Sequence, residues 1–396
     1  MSIYFRNIYL FLSIGIFSLF LVACNKEPSD SPYVEKDPQT TVLIYAVATN
    51  SLSSNLNSDK KEILQAAPYL DLEQNNVLLF ETTYNNPPRL LKLEKNKENE
   101  DDFQFTLIKE YSEDISSLNP ERISEIIEYV ASAYNSKNYG LIFWSHSTAS
   151  QPYMKGLTTA SHQTTMYSFG QDKNSALGQT FEININDLAN VLPDHFFDFI
   201  WFDSCYMSNI ETIYQFRDKC DFFIGYPTEV VDEGMPYHLT LPLLAKENPD
   251  IIGAAETFMN YFTNDAAYKI GTIAVTDMSN LEVLASFCEQ FYTLGVVPDA
   301  SSLFKYTRST TGPFYDFGDY SKEISNIAGT PLSNEEWNQV LNKAVIYKAA
   351  TMRDFNGHII PIERYSGIST HIYDFNNLSE SEQFYRSLDW FQRVFK

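Results

Sequence analysis

The sequence predicts an α/β fold of three layers, with a mostly parallel sheet held between helices. Short continuous apolar runs recur along the chain, which is the pattern of strands buried on both faces. Most are separated by segments with helical spacing, as parallel neighbours require. The composition permits it: 44% hydrophobic, 15% aromatic and 20% charged residues in a chain of 396 supply a large core and exclude intrinsic disorder. At roughly 150 residues per domain, the length fits two domains or one large one with additions.

The chain opens on a segment of different character. Residues 1–23 carry one charge, Arg6, and an apolar run over 8–22 broken only by Ser13, Gly15 and Ser18. A spanning helix needs about 20 apolar residues, so this run is short. It ends in Leu21-Val22-Ala23-Cys24 and then turns polar, the layout of a secretion signal with a cleavage point. The tetrapeptide resembles a bacterial lipobox. That resemblance implies cleavage before Cys24, lipid on its thiol, an acyl anchor in the membrane and a place in the cell envelope, at the outer membrane or cell surface of a bacterium. Residues 24–40, rich in Ser, Pro, Asp and Lys, read as a tether.

Buried strands are predicted at 41–47, 77–80, 141–144, 197–202, 222–224 and 272–275. Residues 121–134 place Ile123, Ile126, Ile127, Val130 and Ala131 on one helical face, with Asn119 as N-cap and Pro120 at the first helical position. Residues 89–93 and 103–108 read as a hairpin protruding from the sheet. Beyond about residue 236 the pattern turns more helical. Ser279/Glu282, Ser333/Glu336 and Ser379/Glu382 have capping-box spacing, and 367–373 reads as a last strand.

Charge and cysteines narrow the function. The 28 Lys and Arg against 51 Asp and Glu give a net charge of −23, which repels phosphate backbones and argues against a nucleic-acid partner. Setting Cys24 aside leaves Cys205, Cys220 and Cys288, an odd number that leaves at least one thiol free. Cys220 and Cys288 sit in apolar helix or helix-end contexts and read as packing residues. The strand 197–202 runs on through Asp203 and Ser204 into Cys205, and the strand 141–144 runs through Ser145 into His146. In an open parallel sheet the carboxyl ends of the strands form the ligand crevice, so both side chains are expected on one edge, where a His–Cys pair can do nucleophilic catalysis. A helix over 207–216 would place Cys205 at its N-terminus and favour thiolate. Asp203, two residues before, either faces a substrate pocket as a fixed negative charge or caps that helix.

The run Tyr139-Gly140-Leu141-Ile142-Phe143-Trp144-Ser145-His146, followed by Phe202-Asp203-Ser204-Cys205-Tyr206-Met207-Ser208-Asn209, resembles the clostripain family of cysteine peptidases. Residues 168–172 and 227–237 support the likeness, which covers most of 41–240 and extends more weakly to Asp316-Phe317 and 365–369. The resemblance implies a caspase-like three-layer sandwich over 41–240, with 241–396 as a helical and mixed extension that packs on the sheet or completes it. It implies a dyad of His146 and Cys205, polypeptide substrates cut after Arg or Lys, and a monomer. Asp203 would bind the basic side chain, and Glu229, Asp232 and Glu233, in the loop after the next strand, would add to the same pocket. Ser147 stands where the family has a glycine whose N–H serves the oxyanion hole. That departure leaves open a weakened or inactive relative that binds peptides without cutting them. Family members are commonly processed in the loop that here holds Lys155 and Lys173, so self-cleavage after one of these is expected. Some members use calcium; this sequence has no EF-hand, His-Glu-x-x-His, Cys-x-x-Cys or phosphate-loop spacing.

Overall fold

The computed structural model describes residues 39–99, 102–150, 168–174, 176–306, 314–355 and 357–395. The leader at 1–23, Cys24 and Lys155 lie outside them. The strands are β1 (Thr40–Val47), β2 (Asn75–Thr83), β3 (Asn86–Lys95), β4 (Phe103–Glu110), β5 (Asn138–Trp144), β6 (Phe169–Asn174), β7 (Gln179–Ile183), β8 (Phe197–Asp203), β9 (Cys220–Gly225), β10 (Thr272–Asp277), β11 (Tyr315–Asp316), β12 (Val345–Ala350) and β13 (Ser369–Thr370). The helices are α1 (Ser53–Ala66), α2 (Pro120–Ala133), α3 (Ile185–Asn190), α4 (Ile210–Gln215), α5 (Tyr237–Leu244), α6 (Ile251–Asn264), α7 (Leu281–Cys288), α8 (Phe317–Ile327), α9 (Asn334–Ala344), α10 (Glu380–Ser387) and α11 (Asp389–Val394).

Nine strands form one sheet in the order β12-β10-β9-β8-β5-β1-β2-β3-β4. Its centre, from β9 to β2, is parallel, and the pairs added at both edges are antiparallel. Side chains alternate across the central strands. Leu43, Tyr45, Phe143, Ile200 and Phe202 face one core with residues of α2, α7, α9 and α11. Val42, Ile44, Trp144, Phe199 and Trp201 face the other, with residues of α1, α5 and α6. Because both faces are covered, the middles of the central strands are apolar and their polar residues fall at or near the ends, which is why they read as continuous apolar runs.

Local signals explain the boundaries that were legible. The Asn119 side chain accepts the Glu121 N–H and Pro120 opens α2, as its spacing predicts. Ser333 and Glu336 form a full capping box. Ser379 caps α10, but the Glu382 carboxylate turns to His371 and the Asp374 N–H instead of closing the box. Ser279 is no cap at all: α7 begins at Leu281, and Glu282 binds Tyr214 and Arg393.

Three further expectations change. The β3–β4 hairpin does not protrude; β3 pairs with β2 and extends the sheet. Cys220 opens strand β9, not a helix. The last strand shrinks to β13, which pairs with β11 and bridges Asn209; Gly367 and Ser369 are tied to the loop after β8, with Ser208 Oγ donating to Gly367 O and Ser369 N–H donating to Ser208 O. Residues beyond 240 supply β10 and β12 to the common sheet, and α5 runs through residue 240.

Candidate active site

β5 and β8 are parallel neighbours with Trp144 level with Asp203. His146 and Cys205 each follow two residues past that rung, so both leave the sheet at its carboxyl edge. They line one cavity of about 420 Å³ together with Asp203, Glu229, Val230, Asp232 and Phe355.

The thiol is held by backbone rather than by a helix. Val230 N–H donates to Cys205 Sγ at 3.4 Å, and the thiol faces Val230 O at 3.9 Å. α4 starts only at Ile210, where the Asn209 side chain accepts the Thr212 N–H, and Tyr206 turns the chain through a left-handed φ of 62°. The expected stabilisation of thiolate by a helix N-terminus is therefore absent at Cys205. Burial, opposed by the Val230 N–H and reinforced by Glu229 and Asp203, pushes the thiol up to about 12. Cys220 and Cys288 are buried and free, and burial raises both.

His146 is half-buried, and its imidazole lies below the ordinary histidine value through burial first and the Lys173 ammonium second. The resting pair is thus a neutral imidazole and a neutral thiol. His146 Nε2 stands 2.7 Å from the Ser51 hydroxyl, in the loop after β1. That loop is pinned by Asn50, which is buried: its amide donates to Val47 O at 2.9 Å and Gln171 O at 2.8 Å, and its carbonyl accepts the Leu52 N–H at 2.9 Å. Ser51 was missed from the sequence, because its loop is brought to His146 by tertiary contacts.

Asp203 shares its sheet face with Trp201, so its carboxylate lies on the α1–α5 side rather than over α4, and it caps no helix. It is 4% exposed and accepts the Tyr226 hydroxyl at 3.2 Å, the Tyr237 hydroxyl at 3.1 Å and the Met235 N–H at 3.1 Å to each oxygen. Trp201 Nε1 donates in turn to the Tyr226 oxygen. Gly234, at φ 61°, lets the loop close over the carboxylate; a Cβ there would stand 3.0 Å from Asp203 Oδ2. Burial outweighs these donors and moves Asp203 up to about 6.

A second buried carboxyl lies behind it. Asp59 of α1 is 4% exposed and hydrogen-bonds the Trp144 side chain, while its Oδ2 meets no partner among the described residues. Burial, with the charges of Asp203 and Glu62, pushes it to about 9. The signal for it was an acid in the buried helical stripe Leu56, Asp59, Ile63, Ala66.

The other expected acids divide. Glu229 and Asp232 line the cavity, and Asp232 also accepts the Asn55 amide at 3.1 Å. Glu233 does not line it. Ser147 is buried with an ordinary negative φ, and its hydroxyl donates to the Cys205 carbonyl at 2.5 Å. Lys173 lies within the β6–β7 ladder opposite Thr180, and its N–H donates to Thr49 O. Among the described residues no group of three or more His, Cys, Asp or Glu side chains is placed to hold a metal ion. No helix among the described residues is long and apolar enough to cross a membrane.

The comparisons agree with this geometry. The family model described as the clostripain family matches residues 44–393. A secreted C11 cysteine protease from Bacteroides thetaiotaomicron, solved in complex with an irreversible peptide inhibitor, is 26% identical; the match covers 90% of this chain and 99% of that one at a TM-score of 0.75. An inactive zymogen C11 protease from Parabacteroides distasonis is 29% identical, with coverage of 91% and 99% and a TM-score of 0.74. No curated protein matches the sequence. A mostly parallel sheet carrying histidine and cysteine past adjacent strand ends, and a family match over residues 44–393, lead to one conclusion: this chain belongs to the clostripain family of C11 cysteine peptidases.

Proposed function

We propose that the chain is a cysteine endopeptidase that cuts polypeptides after Arg or Lys. The observation that carries this reading is the meeting of Cys205, His146 and the buried Asp203 carboxylate in one cavity. Asp203 binds the substrate's guanidinium or ammonium by charge-assisted hydrogen bonds, with Glu229 and Asp232 at the rim. Glu233, outside the cavity, adds only its distant charge. With a neutral pair at rest, His146 takes the thiol proton as Cys205 sulfur attacks the scissile carbonyl, and the Ser147 N–H serves the developing oxyanion. Collapse to the thioester expels the amine, which receives the proton from His146. Water then attacks the thioester, giving its proton to His146; the acyl group leaves as the carboxylic acid, and the expelled Cys205 thiolate takes the proton back from His146, which restores the pair.

The alternative, a peptide-binding relative without activity, rests on Ser147 replacing glycine, with its hydroxyl engaged by the Cys205 carbonyl. A peptide probe with Lys or Arg before an electrophilic group decides between the two: it labels the wild type at Cys205 and leaves Cys205→Ala unlabelled. Absence of label with reductant, and with or without calcium, sinks the peptidase reading.

Two further features complete the proposal. Self-processing is assigned to Lys155, because cleavage after Lys173 would first have to open the β6–β7 ladder. Two chains on a denaturing gel for the wild type and one for Lys155→Ala would bear this out. Cys24 is the lipid attachment point that holds the protein at the cell envelope; loss of incorporated fatty acid in Cys24→Ser tests it.

A further inference from the structure

The connection from β12 to α10 carries a feature that the peptidase reading leaves unused. Its described residues 352–355 and 357–360 pair back on each other as a hairpin: Ile360 N–H donates to Met352 O at 2.9 Å, and Asp354 N–H donates to His358 O at 3.0 Å. The Asp354 carboxyl, itself buried, accepts the His358 N–H at 2.9 Å. Gly357 makes the turn at φ 78°, and Arg353 Nη1 donates to its carbonyl at 2.6 Å. The base is fixed to the sheet by Thr351, whose N–H donates to Gly271 O at 2.8 Å. This is a braced turn, and its tip residue, Phe355, lines the same cavity as Cys205 and His146.

Among the polar residues of the turn stand three large apolar side chains that are exposed. Phe355 is 44% exposed, and Met352 and Ile359 on the same hairpin are 71% and 61% exposed. Leu52 and Val230 continue the apolar lining within the cavity, beside the carboxylates of Asp203, Glu229 and Asp232. A partly exposed phenyl ring that lines a cleft gains from an apolar group packed on its exposed part, while the neighbouring carboxylates repel acidic side chains.

We infer that Phe355, carried on the 352–360 hairpin, forms an apolar subsite beside the charged pocket, so that the protein prefers substrates with a bulky apolar side chain adjacent to the basic residue. This rests on the peptidase reading and adds a second determinant to it. The occupant is a Leu-, Phe- or Met-like side chain on either neighbour of the basic residue, and an acidic side chain there is disfavoured.

The test is kcat/KM on fluorogenic peptides with one basic residue and Leu, Ser or Asp at each of its two neighbours, for wild type, Phe355→Ala and Phe355→Leu. For the wild type, Leu exceeds Ser by about tenfold at one neighbour, the size of effect a hydrophobic subsite gives. That ratio collapses to within about twofold in Phe355→Ala and returns in Phe355→Leu. Because each ratio is taken within one preparation, loss of folded protein cancels from it. A wild type that cuts the basic peptides with no apolar preference, or a Phe355→Ala variant that keeps the full preference, overturns the subsite and leaves the peptidase reading intact. Failure of the wild type to cut any basic peptide overturns both.

Discussion

The Ser51 hydroxyl stands 2.7 Å from His146 Nε2. With that nitrogen engaged, Nδ1 is the ring nitrogen without a hydrogen-bond partner among the described residues and the one left for the thiol proton, so Ser51 acts as a positioning residue through the imidazole. Asn50 gives the contact its stiffness, since one buried amide ties the loop to Val47 and Gln171. Ser51→Ala is expected to lower kcat by roughly tenfold, a fraction of the 10²–10⁴ that a general base contributes, with KM little changed. Ser51→Thr, which keeps the hydroxyl, should restore much of the loss. An equal rise in KM, or no rescue by threonine, would show a merely structural role.

Asp203 predicts a pH dependence. Its folded value of about 6 lies above the ordinary carboxyl value because of burial. The carboxylate that binds a cation is present above that value and lost below it, so kcat/KM on basic peptides rises through about pH 6 as Asp203 ionises. Asp203→Asn should lose roughly a hundredfold or more in kcat/KM on these peptides, since removing one partner of a buried charged pair costs about 2–5 kcal/mol. Its pH profile should keep only the limb set by His146. If the variant retained the Asp203 limb, that titration would belong elsewhere.

His146, Cys205 and Asp203 were legible because buried strands announce their ends: an apolar run stops, and the next polar side chains sit at the carboxyl edge. Register then does the rest, with Trp144 level with Asp203. The helix after Cys205 was misjudged because apolar spacing runs back to Met207, while the Asn209 cap, the physical start signal, was passed over. Ser51 and Phe355 were beyond reach for another reason. Each arrives from a loop whose approach to the cleft depends on tertiary contacts, Asn50 with Gln171 in one case and Thr351 with Gly271 in the other. No local pattern encodes such pairings.

The protonated thiol gives a third prediction. Iodoacetamide, which has no side chain for the Asp203 pocket, should alkylate Cys205 slowly at about pH 7, with a rate that climbs through about pH 10 without an early plateau. The displacement of Cys205 up to about 12 by burial and by two carboxylates is the cause. A plateau between about pH 5 and 7 would mean a thiolate–imidazolium pair at rest and would contradict the neutral dyad.

Asp59 offers a test on stability. Its folded value, pushed to about 9, exceeds the unfolded carboxyl value, so the folded state holds a proton that the unfolded chain releases. The stability tied to that proton is complete below the unfolded value and drains away as pH rises towards about 9. Asp59→Asn, which cannot ionise, should therefore melt higher than the wild type at neutral and alkaline pH and show a flatter dependence of Tm on pH. Parallel Tm curves for the two proteins would show that Asp59 keeps an ordinary value.

Ser147 supplies the last prediction. The resemblance marks it as a defect, since glycine is usual after the catalytic histidine, yet its φ is ordinary and its hydroxyl holds the carbonyl of Cys205 at 2.5 Å. One loop end is thereby tied to the other across the β5–β8 edge. Ser147→Gly removes that hydrogen bond and adds backbone freedom, together costing about 1–2 kcal/mol of stability. Activity should fall with it rather than rise, and Ser147→Ala should fall by less than Ser147→Gly because it keeps the Cβ. A Ser147→Gly variant with kcat raised severalfold would show that the serine does hinder the oxyanion site, and the latch would then be a compensation for that hindrance.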